Sequence, residues 1–256
     1  MQFDFGQNWE NFSKEKLTQE SIKQAREHFK ALIEGCNIKG KRFIDIGFGQ
    51  GLSLIFAQEA GAEVTGIDIN PKCNDVFKRN MALFKIEKLP KTLTGSILDD
   101  IFIKRLKIKS YDIVHSWGVL HHTGDMYRAI DNACSLVAPN GVLIIAIYNK
   151  HWTSPIWKLI KYFYNISPVL IKKMLIYFFY PIIFCAKFVA TGKNPLRMTR
   201  GMDFFYNVVD WIGGYPYEYA FQKQITDNLK EKGFKRVKFV PARLPTGCNE
   251  YVFIKE

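Results

Sequence analysis

The sequence predicts an α/β fold: a doubly wound, mostly parallel seven-stranded sheet with an antiparallel last strand and an inserted helical cap. Three observations lead there. From Lys41 to Tyr148, short near-continuous apolar runs alternate with helical stretches, the pattern of parallel strands covered on both faces. A glycine-rich turn follows the first of those runs. The chain then closes with two consecutive strand-like runs joined by a short Pro/Gly loop, which pair antiparallel. The composition, 48% hydrophobic and 23% charged over 256 residues, suits a full globular core and excludes a disordered tail.

Residues 1–40 read as an N-terminal helical lid. Thr18 is a good N-cap; Ile22, Ala25, Phe29, Leu32 and Ile33 share one face, and Gly35 ends the helix. Strands are expected at Arg42–Ile46, Glu63–Ile69, Thr92–Ile97, Tyr111–Ser116 and Val142–Tyr148. Helices are expected at Leu52–Glu59, Lys72–Phe84 and Asp125–Val137, with the Asp99–Lys109 connection left open. The core takes in 41–150 and 218–256. Its last part holds a polar helix around Phe221–Lys232, stopped by Gly233, then strands Arg236–Val240 and Glu250–Lys255.

Residues 151–217 break the alternation and form the cap for an acceptor. Ser154-Pro155 and Ser167-Pro168 each look like an N-cap followed by a first-turn proline. The first cap helix puts Ile156, Leu159, Ile160 and Phe163 on one face and Lys158 and Lys161 on another. Pro181 should kink or split the second. Its longest uncharged run, Met174–Ala186, falls short of the roughly 20 residues a membrane span needs.

Charge is concentrated in the same place. The net charge is +12, and residues 151–200 hold eight Lys/Arg (Lys158, Lys161, Lys172, Lys173, Lys187, Lys193, Arg197, Arg200) with no Asp or Glu. Such a block attracts anionic substrates, a membrane surface or nucleic acid. Five scattered cysteines without a Cys-x-x-Cys pair argue against a disulfide framework or a zinc ribbon. With no apolar leader at the N-terminus, the expectation is a cytoplasmic protein, with peripheral membrane contact through 155–190 as an option.

The strongest chemical signal is Asp45-Ile46-Gly47-Phe48-Gly49-Gln50-Gly51, directly after a strand and opening a helix. Glycines let the backbone turn sharply and approach a ligand, and the helix start offers N–H groups. Asp68, 17 residues past Gly51, ends the next strand, where a carboxylate can bind both hydroxyls of a ribose. The nicotinamide fingerprint places its third glycine one residue later. An acid at Asp45 also sits badly beside a pyrophosphate but suits an ammonium and a sulfonium.

At these residues the chain resembles the class I, Rossmann-like S-adenosylmethionine-dependent methyltransferases, whose motif is Asp/Glu-x-Gly-x-Gly-x-Gly. It is most similar to a bacterial small-molecule subgroup within the broad set that includes quinol methylases. The resemblance rests also on Phe5-Gly6-x-Asn8-Trp9, Ser116 to Met126, Ile145 to Asn149 and Asp210-Trp211-x-Gly213-Gly214-Tyr215-Pro216-x-Glu218. It implies S-adenosyl-L-methionine as cofactor, with Asp45, Gly47, Gly49 and Gly51 at its methionyl end and Asp68 with Ile69 at its ribose. The third strand ends Gly95-Ser96-Ile97 where the family has Gly-Asp, so the adenine contact passes to Ser96 or weakens. Trp117 can cover the cofactor or simply pack in the core. Asn8 and Trp9 can fold over it as a lid.

His121 and His122 follow the fourth strand, at the edge where open α/β sheets bind ligands, and one of them is the candidate general base. Two adjacent histidines without a carboxylate set make a poor metal site, so no metal is expected. Tyr148, Asn149, Tyr206, Asp210, Trp211, Tyr215 and Asn249 are the candidate acceptor lining. The basic insert points to an anionic small-molecule acceptor, methylated on oxygen. A lipid or quinone acceptor at the membrane is the alternative, and a non-catalytic membrane-surface or partner-binding module is the reading from another class. The segment His115-Ser116-Trp117-Gly118 lacks the Pro-Pro signature of base-amino methylation, which argues against nucleic acid. The oligomeric state stays open, a homodimer included.

Overall fold

The computed structural model describes residues 2–84, 89–108, 110–196 and 203–256. Lys109, Arg197 and Arg200 fall outside the described residues. Two helices precede the sheet. α1 (Phe5–Glu15) is capped by Asp4, whose carboxylate accepts the Gln7 N–H at 2.9 Å. α2 (Gln19–Leu32) starts at Thr18, which forms a reciprocal capping box with Ser21 and so satisfies orphan N–H groups at the helix start. The sequence reading had one helix here. α1 carries only Phe5, Trp9 and Phe12 as its apolar positions, spaced four and three apart among polar residues.

The core follows as β1 (Arg42–Ile46), α3 (Leu52–Glu59), β2 (Glu63–Asp68), α4 (Lys72–Leu83), β3 (Lys91–Thr94), α5 (Asp100–Lys107), β4 (Tyr111–Trp117), α6 (Met126–Leu136) and β5 (Val137–Tyr148). The open 99–109 connection is thus a helix, started by Asp99, whose carboxylate accepts the N–H groups of Ile101 and Phe102. The third strand is shorter than expected, ending at Thr94. After the cap come α10 (Gln222–Glu231), β6 (Phe234–Val240) and β7 (Cys248–Lys255).

The sheet order is β3-β2-β1-β4-β5-β7-β6. The first five strands pair parallel, while β7 runs antiparallel to both β5 and β6. The seven-stranded doubly wound fold with an antiparallel final strand is therefore present. Both faces are buried. Ile103, Ile130, Leu136, Ile225 and Leu229 from α5, α6 and α10 cover one side. Phe29, Leu54, Ile55, Phe77 and Met81 from α2, α3 and α4 cover the other. Strand order reverses between β1 and β4, which opens a crevice at their carboxyl ends.

The cap comprises α7 (Ser154–Ile166), α8 (Val169–Thr191) and α9 (Phe204–Gly213), with a small core of Tyr164, Ile176, Ile183, Phe204, Val208 and Ile212. Three expectations change here. The serines are not the N-caps: Ser154 is the first helical residue, and Ser167 closes α7 by donating its hydroxyl to the Phe163 carbonyl at 2.7 Å. Pro181 does not split the second helix, which runs 23 residues and is long and apolar enough to cross a membrane. Most consequentially, the two lysines expected on one face of α7 part, Lys158 being exposed. Lys161 is fully buried, while Ile156, Leu159 and Phe163 are exposed.

Proline inside a helix loses a hydrogen bond and costs about 3 kcal/mol relative to alanine, part of which its stiffening of the unfolded chain returns. Pro181 is exposed and fills no core position. Pro181→Ala should therefore stabilise the protein by about 1–2 kcal/mol, read as a higher denaturant midpoint at unchanged slope.

Candidate active site

A cavity of about 1010 Å³ runs from the β1 turn, under α1, to the inner side of α8. Its first half is built where β1 ends. Gly49 and Gly51 hold φ of 54° and 78°, a region other residues enter only under strain. A Cβ on Gly51 would overlap the Phe77 ring, and one on Gly49 would lie 2.9 Å from Trp9 Nε1. Glycine at these positions lets the backbone face the cavity. Asp68 accepts the Gly49 N–H at 3.0 Å on one oxygen and the Asn70 N–H at 2.9 Å on the other. Burial pushes its carboxyl up, against the lowering effect of those two N–H groups.

Asp45 lines the cavity with both oxygens engaged: one meets His115 Nδ1 at 2.7 Å and the other accepts the Ser53 hydroxyl. His115, expected as a core residue, is buried and holds this carboxylate. Ile69, Ser96, Ile97 and Trp117 also line the wall. The Ser96 oxygen accepts the Leu98 N–H at 3.1 Å, which leaves its own proton free to donate. Trp117 donates to Glu250 at 3.2 Å and meets His28 edge-on.

α1 lies over this half. Asp4 accepts from Asn70 Nδ2 at 2.7 Å and pairs with Lys72 at 3.1 Å, and Phe5 and Trp9 line the cavity. Asn8 points elsewhere, donating to Asp210 of α9 at 2.6 Å. α1 is thus fastened through Asp4 to the β2–α4 loop and through Asn8 to α9.

In the second half, the two histidines separate. His122 lines the cavity; His121 sits behind it, fully buried, its ring 4.0 Å from that of Tyr148 and its nitrogens without a hydrogen bond of ordinary geometry. His122 Nδ1 lies 2.6 Å from the Pro216 carbonyl, which can only accept, so this nitrogen carries the proton and Nε2 the lone pair. Burial first, then the Lys161 charge, lowers its pKa to about 3 against that hydrogen bond. Glu218 clamps the turn from outside, accepting the N–H groups of Gly124 and Met126.

Tyr148, Asp210 and Trp211 line the same half. Beneath them the Lys161 ammonium donates to the Trp211 carbonyl and lies 4.4 Å from the Trp211 ring centre and 4.8 Å from that of Tyr217. Burial brings its pKa down to about 7, and the same burial raises Asp210 to about 7, each partly opposed by the other's charge. Sequence reasoning missed Lys161, although Trp157 and Tyr164 bracket it at helical spacing. Ile183, Ala186, Lys187 and Ala190 of α8 and Trp157 of α7 complete the wall.

Four candidate acceptor residues lie away from the cavity. Asn149 and Asn249 bond each other at 3.1 Å and fasten the end of β5 to the β6–β7 loop. Tyr206 donates to Glu15 at 2.6 Å, and Tyr215 packs edge-on against Tyr162. Among the described residues no group of three or more His, Cys, Asp or Glu is placed to hold a metal, and none of the cysteines is joined in a disulfide.

A doubly wound sheet with a glycine turn at its switch point and an acid ending the second strand defines a nucleoside-binding α/β protein. The family model described as a methyltransferase domain matches residues 18–175, well over half of the chain, and the chain belongs to that family. It is an S-adenosylmethionine-dependent methyltransferase. A ubiquinone biosynthesis O-methyltransferase of Coxiella burnetii is 26% identical over 167 residues, 64% of this chain and 68% of that one. Among solved structures, magnesium protoporphyrin IX methyltransferase (ChlM) from Synechocystis PCC 6803 with bound SAH shares 17% identity. It covers 92% of this chain and 83% of its own, at a TM-score of 0.55. A putative S-adenosylmethionine-dependent methyltransferase from Listeria monocytogenes reaches 0.56 at 15% identity, over 91% of this chain and 98% of its own.

Two outcomes follow. Asp68→Ala should weaken binding of S-adenosylhomocysteine by about ten- to a hundredfold, the range for hydrogen bonds to a charged group, as measured by calorimetry. Asp210 binds a proton in the folded state up to about pH 7 but only to the ordinary carboxylate value of 3.8 when unfolded. Its contribution therefore falls as pH rises between those values. Asp210→Asn removes it, so the variant should gain on wild type by about 2–4 kcal/mol from pH 4 to pH 8 in denaturant titrations.

Proposed function

We propose that this methyltransferase acts on an amphiphilic acceptor, whose polar head meets His122, Tyr148 and Asp210 and whose apolar part lies along α8. The observation that carries this is the continuity of the cavity: past the polar residues its wall is Trp157, Ile183, Ala186 and Ala190. Ala186 and Ala190 are also exposed, so the cavity opens beside them. The charge argument for a wholly anionic acceptor loses ground, because Lys158, Lys173 and Lys193 point to solvent rather than inward. Lys187, on the wall, already donates to Asn207. The relatives named as ubiquinone biosynthesis O-methyltransferases support oxygen as the methylated atom.

Asp45, Gly47, Gly49 and Gly51 would hold the methionyl end of the cofactor and Asp68 its ribose. Ile69, Ser96 and Ile97 would border the adenine, with Trp9 and Trp117 closing the sides. Asn8 would act indirectly, through Asp210. The bound cofactor supplies a methyl group activated on a sulfonium. The protein then has to place the acceptor oxygen against it, exclude water and take the proton.

His122 stays neutral throughout the physiological range, and its Nε2 lone pair can accept a hydrogen bond from the acceptor hydroxyl and orient it. With its pKa near 3 it is a weak base. Asp210, with its carboxyl raised to about 7, is better matched to receive the proton at neutral pH. His121 supports the wall from behind.

The purified chain, given methyl-labelled cofactor and whole-cell extract, should place label in the organic-soluble fraction. Label confined to water-soluble metabolites would overturn the amphiphilic reading and return the anionic one.

A further inference from the structure

We propose that the outer face of α7 and α8 seats on an anionic lipid bilayer, with α8 lying flat in the interfacial plane. The proposal extends the amphiphilic-acceptor reading to the place where such an acceptor is met. It rests on the surface itself, in three steps.

The first is the apolar outer face of the cap helices. On α7, Ile156, Leu159, Phe163 and Ile166 recur at helical spacing and all face outward. On α8, Leu170, Met174, Tyr177 and Phe178 continue the stripe, Leu170 being 71% and Tyr177 72% exposed. Single exposed apolar residues are ordinary; a contiguous stripe over two adjacent helices marks a surface that something covers. The opposite side of α8 is committed, since Ile176 and Ile183 pack with Phe204, Val208 and Ile212 of α9.

The second step selects the occupant. Residues 151–200 contain no acid, and Lys158, Lys173 and Lys193 are exposed around the apolar stripe. A second copy of the chain would bring this basic rim against itself, which like-charge repulsion opposes. An anionic headgroup layer complements the lysines, and its acyl boundary takes up the apolar stripe, as in interfacial amphipathic helices. Trp152, 77% exposed at the start of the cap, and Tyr177 are the ring types that settle at headgroup level.

The third step fixes the orientation. α8 has the length and hydropathy of a span. A crossing orientation would pull Ile176 and Ile183 off α9 and Lys187 off Asn207. Lying flat keeps these contacts and turns the Leu170, Met174, Tyr177 and Phe178 stripe toward the acyl boundary.

The test is co-flotation of the full chain with vesicles, with no acceptor present, so its failure is separable from failure of the acceptor reading. Vesicles of phosphatidylglycerol and phosphatidylcholine should carry the protein up, those of phosphatidylcholine alone should carry far less, and high salt should release it. The double variant Leu170→Glu/Tyr177→Glu should lose vesicle binding by about tenfold or more, with unchanged affinity for S-adenosylhomocysteine as proof of folding. Three results would overturn the proposal. One is absence of flotation with the anionic vesicles. Another is equal flotation of wild type and double variant. The last is a concentration-dependent dimer in light scattering that the same two substitutions dissolve, which assigns the face to a second copy.

Discussion

A buried carboxylate at the end of the first strand organises the centre of this molecule. Asp45, 2% exposed, would be intolerable there without partners, and it has two, the His115 imidazole and the Ser53 hydroxyl. Asp45 and His115 are also register neighbours in the β1–β4 pair, across which the strand order reverses. The polar contact that partners the buried acid thus joins the two halves of the sheet at the crevice. Ser53 ties the same acid to the first turn of α3, and so to the glycine turn preceding it. The stacking of His115 on Phe43, with centroids 5.8 Å apart, fixes the ring from the other side. The arrangement of the cofactor half follows from satisfying one charge.

Much of that core was legible in the sequence for a simple reason. Strands buried on both faces must be apolar throughout, and β1, β4 and β5 have few other ways to be read. The glycine turn was legible because its residue type is dictated by backbone angle and by the closeness of Phe77 and Trp9. The cap was not. Periodicity in α7 distinguishes two faces but does not say which is inside, and Lys161 went inward because an aromatic box and a backbone carbonyl receive it. The helix α1 was missed because its stabilising contacts, Asp4 with Lys72 and Asn8 with Asp210, reach across 68 and 202 residues of chain. No local pattern encodes contacts of that kind. Likewise, Tyr206 and Asn249 carry the residue types of a pocket, yet their polar atoms are spent on Glu15 and the Ala242 N–H.

The acceptor half shows the electrostatic counterpart of this economy of space. His122, Lys161 and Asp210 occupy a region of low polarity, and burial drives each toward its neutral form. For the histidine this leaves a fixed tautomer set by the Pro216 carbonyl. For Lys161 and Asp210 it places proton exchange near neutrality, in a wall otherwise made of aromatic rings. Of the three, His122 and Asp210 line the cavity, while Lys161 lies behind its wall, which is how this wall differs from a merely apolar slot.

The Asn8–Asp210 hydrogen bond has an implication for the order of events. It joins the helix that roofs the cofactor half to the helix that walls the acceptor half, and Phe3, packed where a Cβ on Gly213 would fall, doubles the seam. The two compartments are therefore not independently hinged. Any displacement of α1 would take from Asp210, a residue of the cavity wall, its Asn8 partner at the same moment. Such a seam couples the two ends of one chamber as an interlock does.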